Sequence, residues 1–555
     1  MQNIKTDSNR KIIFISIIVN LAMLVALVLL FSPSFETNDD TGLIAIVGGS
    51  RGIRDPHMVH SNYLMGLLLV KLFEMMPTIQ WTAILQYTVL LFSFVSTTYV
   101  LFKRFGSPYM RTMIMLALTW FAYEGYIRIQ YTKSAGMIVA MGLIIIFSGL
   151  LEDEINIGQI AVGFAITILG SFYRMQQFYC EVAIYAAMVV YLILLNTRKE
   201  SIDIRKIVKS LILGTALLLV AFGFRAYDRA QYTDAEWAEY LEFDKYRTEV
   251  IDYGVPKYED HEEEYNAIGI DRTAYKLMKN WTFQDSEKFT AATFREIAGF
   301  KTKKKINAAF IKSFVKGLAR GLLKEGAFIC FAVIALGWLL LGKHGKSEIV
   351  AVVVLAATIT ALYMYLYYAG RFMVHRVDVG IWLATSLIMM YLYDPERSDK
   401  KTAIFGIAII ILFLIIVPWQ SHLTVKAAKG DVKKTEERIA IESVNGDRDH
   451  IYLTKVGTLS LSTGYGAFDS IPFGIADNIY PLGGWGAETP VFKSVLQRYG
   501  INNPMRDMID NDKVYLMDND IETTISYLKK WYNADSRAEA VNTIDGKKVY
   551  KIVTN

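Results

Sequence analysis

A chain of 555 residues that is 53% hydrophobic and 20% charged, with 59 basic against 54 acidic side chains and a formal net charge of +5, is too apolar for an ordinary soluble enzyme. Its mean hydropathy of +0.28 has to be read against a bilayer, and no nucleic acid is expected among its partners. The two cysteines, Cys180 and Cys330, sit in or beside apolar runs and make no disulfide framework, so an exported part must be held by packing.

A helix rises 1.5 Å per residue, so about 20 apolar residues cross a bilayer. By that measure the sequence predicts a polytopic α-helical membrane protein with about eleven transmembrane helices. They fall near residues 12–31, 81–102, 111–125, 135–151, 157–172, 179–195, 207–224, 326–341, 349–369, 378–393 and 402–419. The basic residues ahead of the first run resemble a signal peptide. The run is longer than a usual signal core and Ser32-Pro33-Ser34 is a poor cleavage site, so it is expected to stay as an anchor. Lys5, Arg10 and Lys11, Lys103-Arg104 with Arg111, Arg198-Lys199 with Arg205-Lys206, Lys343 with Lys346, and Arg397 with Lys400-Lys401 then share one side. Retention of basic loops makes that side cytoplasmic, with Glu152-Asp153-Glu154 alone against the pattern. His60–Met76, which holds Lys71 and Glu74, must accordingly be an interfacial helix and not a span.

The expected organisation is a membrane module over 1–225 with a first outer loop at 32–80, an outer helical loop over 226–325, further membrane helices over 326–420, and a small α/β domain over 421–555. The amino terminus is then cytoplasmic and the carboxy-terminal domain extracellular on a multi-pass cell-membrane protein. Within that domain IYLTKVGTLSLS, KVYLM and KKVYKIV are strand-like and IETTISYLKKWY is a helix candidate.

The first outer loop carries two patterns. Gly48-Gly49-Ser50-Arg51-Gly52-Ile53 looks like a dinucleotide loop, but it lies between membrane segments, Arg54 stands where the short-chain dehydrogenase pattern has its last glycine, and no Tyr-x-x-x-Lys follows in a soluble domain. The glycines are therefore read as a sharp turn or a close approach, one that brings Arg51, Arg54 and His57 back beside the acidic pair. Asp39 and Asp40 follow the first span by fewer than ten residues. Adjacent acids where water is scarce either pair or do chemistry, or they simply end one helix and cap the next. As oxygen donors they also suit Mg²⁺ or Mn²⁺, and His57 and His60 are spaced to share a metal if helical, so a divalent metal stays open and unassigned.

Three more polar turns follow. Arg128–Lys133 precedes the fourth span, Ser171–Gln177, with Arg174, closes the fifth, and Gly370–Asp378, with Arg371, His375 and Arg376, closes the ninth. Arginines at span ends ordinarily snorkel, but Arg371 and Arg376 lie opposite the side that anchoring cations prefer, which favours a bound phosphate. Lys301–Lys305 opens a basic amphipathic helix suited to anionic membrane lipids.

The acidic pair after the first span, the interfacial helix, the outer loops and the soluble tail together resemble the GT-C superfamily of membrane glycosyltransferases, such as the protein mannosyltransferases and aminoarabinose transferases. Asn38-Asp39-Asp40-Thr41 matches the family's Asp-Asp or Asp-Glu position. His60–Pro77 stands where the family has a Pro-Pro-Leu-Tyr-Tyr helix, although here it opens His60-Ser61-Asn62-Tyr63, and Arg128–Lys133 stands at its polar Tyr-Ser-Arg-like turn. The likeness is better up to about residue 200 than beyond. It implies transfer of a sugar from a polyprenyl-phosphate donor to a cell-envelope glycan or lipid acceptor, with no cofactor certain. In such a transfer one carboxylate takes the acceptor proton and cations hold the leaving phosphate. Asp40 is then the expected base with Asp39 as helper or alternate, and Arg51, Arg54, His57, Arg128, Lys133, Arg174, Gln177, Arg371, His375 and Arg376 are the expected substrate-binding residues. A secondary transporter or flippase would show internal repeats, which are not evident, and a polysaccharide polymerase or ligase would place its arginines in a late loop without the early acidic pair.

Overall fold

The computed structural model describes residues 2–152, 154–197, 204–301, 304–341, 345–393 and 431–554, so the span expected at 402–419 lies outside the described residues. Six described helices are long and apolar enough to cross a membrane: Asn9–Leu30, Trp81–Arg104, Tyr131–Leu151, Met175–Leu194, Lys206–Ala230 and Lys346–Ala369. A seventh crossing is made if Ala308–Leu322 and Gly326–Leu340, bent by 85° at a short break, count as one. The other runs are helical where expected but short: Pro108–Tyr126, Ile157–Tyr173, Gly326–Leu341 and His375–Tyr391 have 19, 17, 16 and 17 residues. The chain is thus a polytopic, mainly helical membrane protein with fewer full-length crossings among its described residues than eleven.

Tyr131–Leu151 sits at the centre, enclosed by its neighbours along almost its whole length. It touches Ile157–Tyr173 backbone to backbone, since a Cβ at Gly142 would stand 2.8 Å from the Gly163 carbonyl oxygen. Small residues at such a crossing gain van der Waals contact where apolar lipid offers no hydrophobic driving force. Asn20 Nδ2 donates to Thr98 Oγ1 at 2.9 Å and ties the first helix to Trp81–Arg104. At one end of the bundle Lys103 pairs with Glu152 at 2.6 Å, which accounts for the lone acidic segment among basic loops. Near the other end Asn62 caps Tyr63–Met75, its side chain accepting from the Leu64 N–H at 3.0 Å. That helix buries Met65, Leu69 and Phe73 and exposes Leu68 and Met75, and 13 residues cannot cross a bilayer.

Two short strands clasp the base of the first outer loop: β1 (Ser34–Phe35) pairs in parallel with β2 (Arg128–Ile129). The C-terminal unit is built on a five-stranded sheet of β3 (Ile451–Thr454), β4 (Ile479–Pro481), β5 (Val514–Met517), β6 (Arg537–Ile544) and β7 (Lys547–Val553) in the order β4-β3-β5-β7-β6. β3 runs parallel to β4 and β5, while β6 and β7 form an antiparallel hairpin whose Asp545-Gly546 turn has φ of 48° and 70°. Of the expected strand IYLTKVGTLSLS only Ile451–Thr454 is extended; Leu461–Gly464 is a helical turn.

The helices between Ala235 and Gly299 pack on this unit as one body, sharing a hydrophobic core with it and with Ile44, Ile46 and Val59 of the first outer loop. Asp285 fixes the join. It accepts from Tyr527 and Tyr532 hydroxyls at 2.5 and 2.6 Å and from Asn503 Nδ2 at 2.9 Å.

Candidate functional site

A cavity of about 1180 Å³ opens where the membrane helices meet the soluble body. Seven basic side chains line it (Arg174, Arg225, Arg229, Lys245, Arg247, Arg371 and Arg376) against four acidic ones (Asp39, Asp244, Glu249 and Asp252), an excess of three positive charges. Some of this charge is internally balanced. Arg247 is buried between Asp244 and Asp252 at 2.7 and 3.1 Å, and Arg371 reaches Asp252 at 3.1 Å and lies over the Tyr253 ring. Arg174 donates to the Tyr131 hydroxyl at 3.3 Å, and among the described residues neither it nor Arg229 has a carboxylate partner. Such cations in a concave, partly dry site attract a phosphate more strongly than they would in water.

The two adjacent aspartates separate here. The helix Asp39–Gly48 begins on them, acids in a first turn being favoured by the helix dipole. Successive helical residues point about 100° apart, so they cannot share one environment. Asp39, with 18% of its side chain exposed, lines the cavity 3.4 Å from Arg376 Nη1. Asp40 is buried at 5% exposure and turns the other way, into a small space lined by Leu43, Met58, Met65 and Leu69. Its Oδ1 accepts from the Tyr131 N–H at 2.9 Å, while Oδ2 has no hydrogen-bond partner among the described residues. Burial, and then the charge of Asp39, push the Asp40 carboxyl well above the usual carboxylate range, which favours the neutral acid.

Beside the cavity lies a second, closed set of charges. Lys133, fully buried, donates to Glu36 and, at 2.8 Å, to Glu124. His375 joins Glu124 through Nε2 at 3.1 Å and Glu325 through Nδ1 at 3.0 Å, and Arg128 stands 3.8 Å from Glu36. Burial would raise the Glu36 carboxyl, but Lys133, His375 and Arg128 together hold it below its ordinary value. Glu36, Glu124 and His375 could bring three ligand atoms within 4.8 Å of one another, as a metal would need. The Lys133 ammonium already bonds both carboxylates, so these residues do not fit a divalent ion. The acidic pair does not fit one either, because Asp39 and Asp40 face apart. His57 also fails as a ligand, since its Nδ1 is bound to Asp55 at 2.6 Å and its Nε2 to the Gln231 carbonyl at 3.0 Å.

The other expected substrate-binding residues lie elsewhere. Arg51 does not turn back toward the acidic pair: it is buried in the C-terminal unit, donating to the Ala476 carbonyl at 3.0 Å and to that of Ile479, with its guanidinium over Phe492. Arg54 covers Phe473. Gly49, at φ +80°, brings the backbone so close that a Cβ would stand 2.7 Å from the Phe473 ring, and its carbonyl accepts from the Gly474 N–H at 2.9 Å. The glycine-rich stretch is therefore a seat for another part of the chain, held by the same close approach that a nucleotide would need. His57 is enclosed by Tyr63, Tyr232 and Trp237, and Gln177 is buried with its amide 3.4 Å from the Val377 carbonyl. Of the expected residues the cavity brings together Asp39, Arg174, Arg371 and Arg376; Asp40, Arg51, Arg54, His57, Arg128, Lys133, Gln177 and His375 do not line it.

Sequence reasoning did not single out Arg225, Arg229, Asp244, Arg247 or Asp252. Arg247 precedes and Asp252 ends a widened turn, Thr248–Asp252, of the kind that recurs at functional sites. His60 also lines the cavity, its ring 4.7 Å from Trp485. Burial, then Arg174, Arg247 and Arg376, depress its pKa well below the ordinary histidine value, so it is a neutral imidazole at neutral pH.

No family model matches the chain, and no curated protein matches it. Among solved structures, the crystal structure of ArnT from Cupriavidus metallidurans bound to undecaprenyl phosphate is similar, with 11% sequence identity, a TM-score of 0.40 and 97% of each chain covered.

Proposed function

We propose that this protein is a GT-C-type membrane glycosyltransferase that moves a sugar from a polyprenyl-phosphate donor to an acceptor at the outer face of the cell membrane, with Asp39 as the general base. The observation that carries the reading is the meeting of Asp39 with Arg174, Arg371 and Arg376, from three distant parts of the chain, on one cavity beside the ends of the membrane helices. In this reading the donor phosphate rests against Arg174 and Arg376 while its prenyl chain stays in lipid. An acceptor hydroxyl attacks the anomeric carbon, the bond from that carbon to the phosphate oxygen breaks, and the charge that grows on the phosphate is met by the arginines. Asp39 takes the hydroxyl proton.

Exposure to the cavity supports Asp39 over Asp40, and the burial that raises the Asp40 pKa and removes it from the cavity argues against it as a base. The depressed pKa of His60 makes it a poor proton acceptor at neutral pH, leaving it to accept or donate a hydrogen bond. No step needs a metal. In this reading the 32–60 loop and the soluble body, which share a hydrophobic core, lie on the outer face and the basic residues Lys103 and Arg111 on the inner one, in keeping with the positive-inside rule.

The test is sugar transfer from a polyprenyl-phosphate-linked donor by the full chain in lipid. Asp39→Asn is expected to lower turnover by roughly 10²- to 10⁴-fold. Asp40→Asn, which keeps a neutral group of the same shape, is expected to change it by only a few-fold. Full activity of Asp39→Asn would end the base assignment, and uptake of a solute into proteoliposomes with no transfer would replace the enzyme by a transporter.

A further inference from the structure

The cavity has two kinds of lining that differ in origin. Arg174, Arg371 and Arg376 stand at ends of membrane helices, whereas the soluble body supplies Asn280, Trp281 and Trp485 beside charged residues that largely offset one another, Arg247 being held between Asp244 and Asp252. A lipid-borne donor enters from the membrane, so the part of the cavity built by the soluble body is the part left for the acceptor.

Trp281 is held there at a conformational cost. Its φ is +62°, a region in which a bulky aromatic residue is a rare outlier. Strain of this kind persists only where the surroundings enforce it, and it concentrates at ligand sites. Here the enforcement is visible. The Phe283 N–H donates to the Leu482 carbonyl at 2.9 Å, and Gly483 lies so close that a Cβ on it would overlap the Trp281 carbonyl oxygen. The residue is nonetheless 38% exposed, so the strain does not serve to bury it. Trp485, on the other segment, is seated over Gly42, where a Cβ would stand 2.6 Å from its ring, and its carbonyl accepts from the Tyr240 hydroxyl at 3.0 Å. Asn280, exposed beside Trp281, adds an amide that both donates and accepts.

Two anchored indoles with a neutral amide are a poor match for a second phosphate or for an alkyl chain alone. They match a ligand with flat C–H faces and a rim of hydroxyls. Pyranose rings have that shape: the axial hydrogens of one face pack on an indole while the equatorial hydroxyls bond to amides and water.

We infer that Trp281 and Trp485 form a stacking platform that binds the acceptor, and that the acceptor is a glycan whose pyranose rings lie on these indoles. The inference rests on the transferase reading above and narrows its acceptor from a glycan or lipid to a carbohydrate chain.

The experiment uses the full chain in lipid nanodiscs with cellohexaose, chitohexaose and maltohexaose as separate probes, followed by saturation-transfer NMR. At least one is expected to bind, with saturation strongest on the hydrogens of one ring face. Trp281→Gly relieves the positive φ and should melt no lower than the parent chain, yet bind that sugar on the order of ten- to a hundredfold more weakly. Trp281→Tyr, which keeps an aromatic face, should recover most of the affinity. Absence of binding by all three sugars, or equal binding by Trp281→Gly, overturns the platform and returns a lipid or peptide acceptor. Binding of polyprenyl phosphate in the same nanodiscs reports on the donor reading separately: it should survive Trp281→Gly and fall with Arg376→Gln, and its absence from the parent chain would sink the donor reading while leaving the sugar result standing.

Discussion

Glu36 and Asp39 stand three positions apart and belong to opposite electrostatic arrangements. Glu36 enters a closed network in which Lys133, Arg128 and His375 face Glu36, Glu124 and Glu325, so that each sign finds the other within the protein. Asp39 faces a cavity where basic side chains outnumber acidic ones and Arg174 and Arg229 lack carboxylate partners among the described residues. A balanced network spends its interactions on holding helices in place; an unbalanced cavity keeps some in reserve for a ligand. The same residue types thus serve structure in one place and binding in the other, and the difference is the charge left over.

Substitutions should divide along that line. The largest effect is expected from Lys133→Met, which leaves Glu36 and Glu124 buried without their shared cation and should cost on the order of 3–5 kcal/mol, read as a large fall in melting temperature in detergent. Adding Glu124→Gln to that variant should restore part of the loss; no restoration would mean the network is not the source. In the cavity the pattern should reverse. Arg376→Gln and Arg174→Gln are each expected to lower transfer turnover by roughly 10²- to 10³-fold, with melting unchanged to within about 1 kcal/mol. A fall in stability matching the fall in activity would place these arginines with the network. Gly49→Ala comes next, forcing a Cβ onto Phe473 at a positive φ, for a cost of about 2 kcal/mol, and limited proteolysis should show the C-terminal unit loosened from its seat.

The smallest effect concerns pH. Burial opposes a charge on His57, but its bonds to Asp55 and to the Gln231 carbonyl raise its pKa above the ordinary histidine value. The native state therefore binds the proton more tightly than the unfolded chain. The stabilisation is complete below the unfolded pKa and is lost as pH rises through the folded one. Melting temperature should accordingly decline modestly from just below neutrality upward, and His57→Gln should flatten that decline.

The membrane helices were legible because apolar length is a direct physical requirement, and every span expected within the described residues is helical. β3, β5, β7 and the helix Ile521–Trp531 were legible for a related reason, since their apolar residues alternate or recur with the element. β6 was not, because an edge strand reading Arg537–Ile544 is exposed along most of its length and needs no apolar face. In the site, Arg371 and Arg376 were singled out by the side of the bundle expected for them, and both line the cavity. Asp40 was expected as the base with Asp39 as helper or alternate; nothing in a loop separates such neighbours, whereas the helix that begins at Asp39 turns them to different surroundings. Arg51 and Arg54 misled because glycines signal close approach without saying of what. Arg247 and Asp252 were not singled out, because the segment that carries them mixes charge and aromatics at roughly helical spacing, which marks helices but not which of their charges face a cavity.

The clasp between β1 and β2 fixes where the chain stands four residues before Asp39, and so it acts as an origin from which position along the next helix is counted. Shifting that count by one has unequal results. Removing Thr37, which leaves Glu36 in its network, would deliver Asp40 to the cavity and Thr41 to the apolar recess, preserving a carboxylate where the proton is to be taken and sparing the recess a buried acid. Adding a residue there would deliver Asn38 to the cavity and push Asp39 into the recess. The two consecutive aspartates thus give the loop a one-sided tolerance to length, forgiving a deletion and not an insertion.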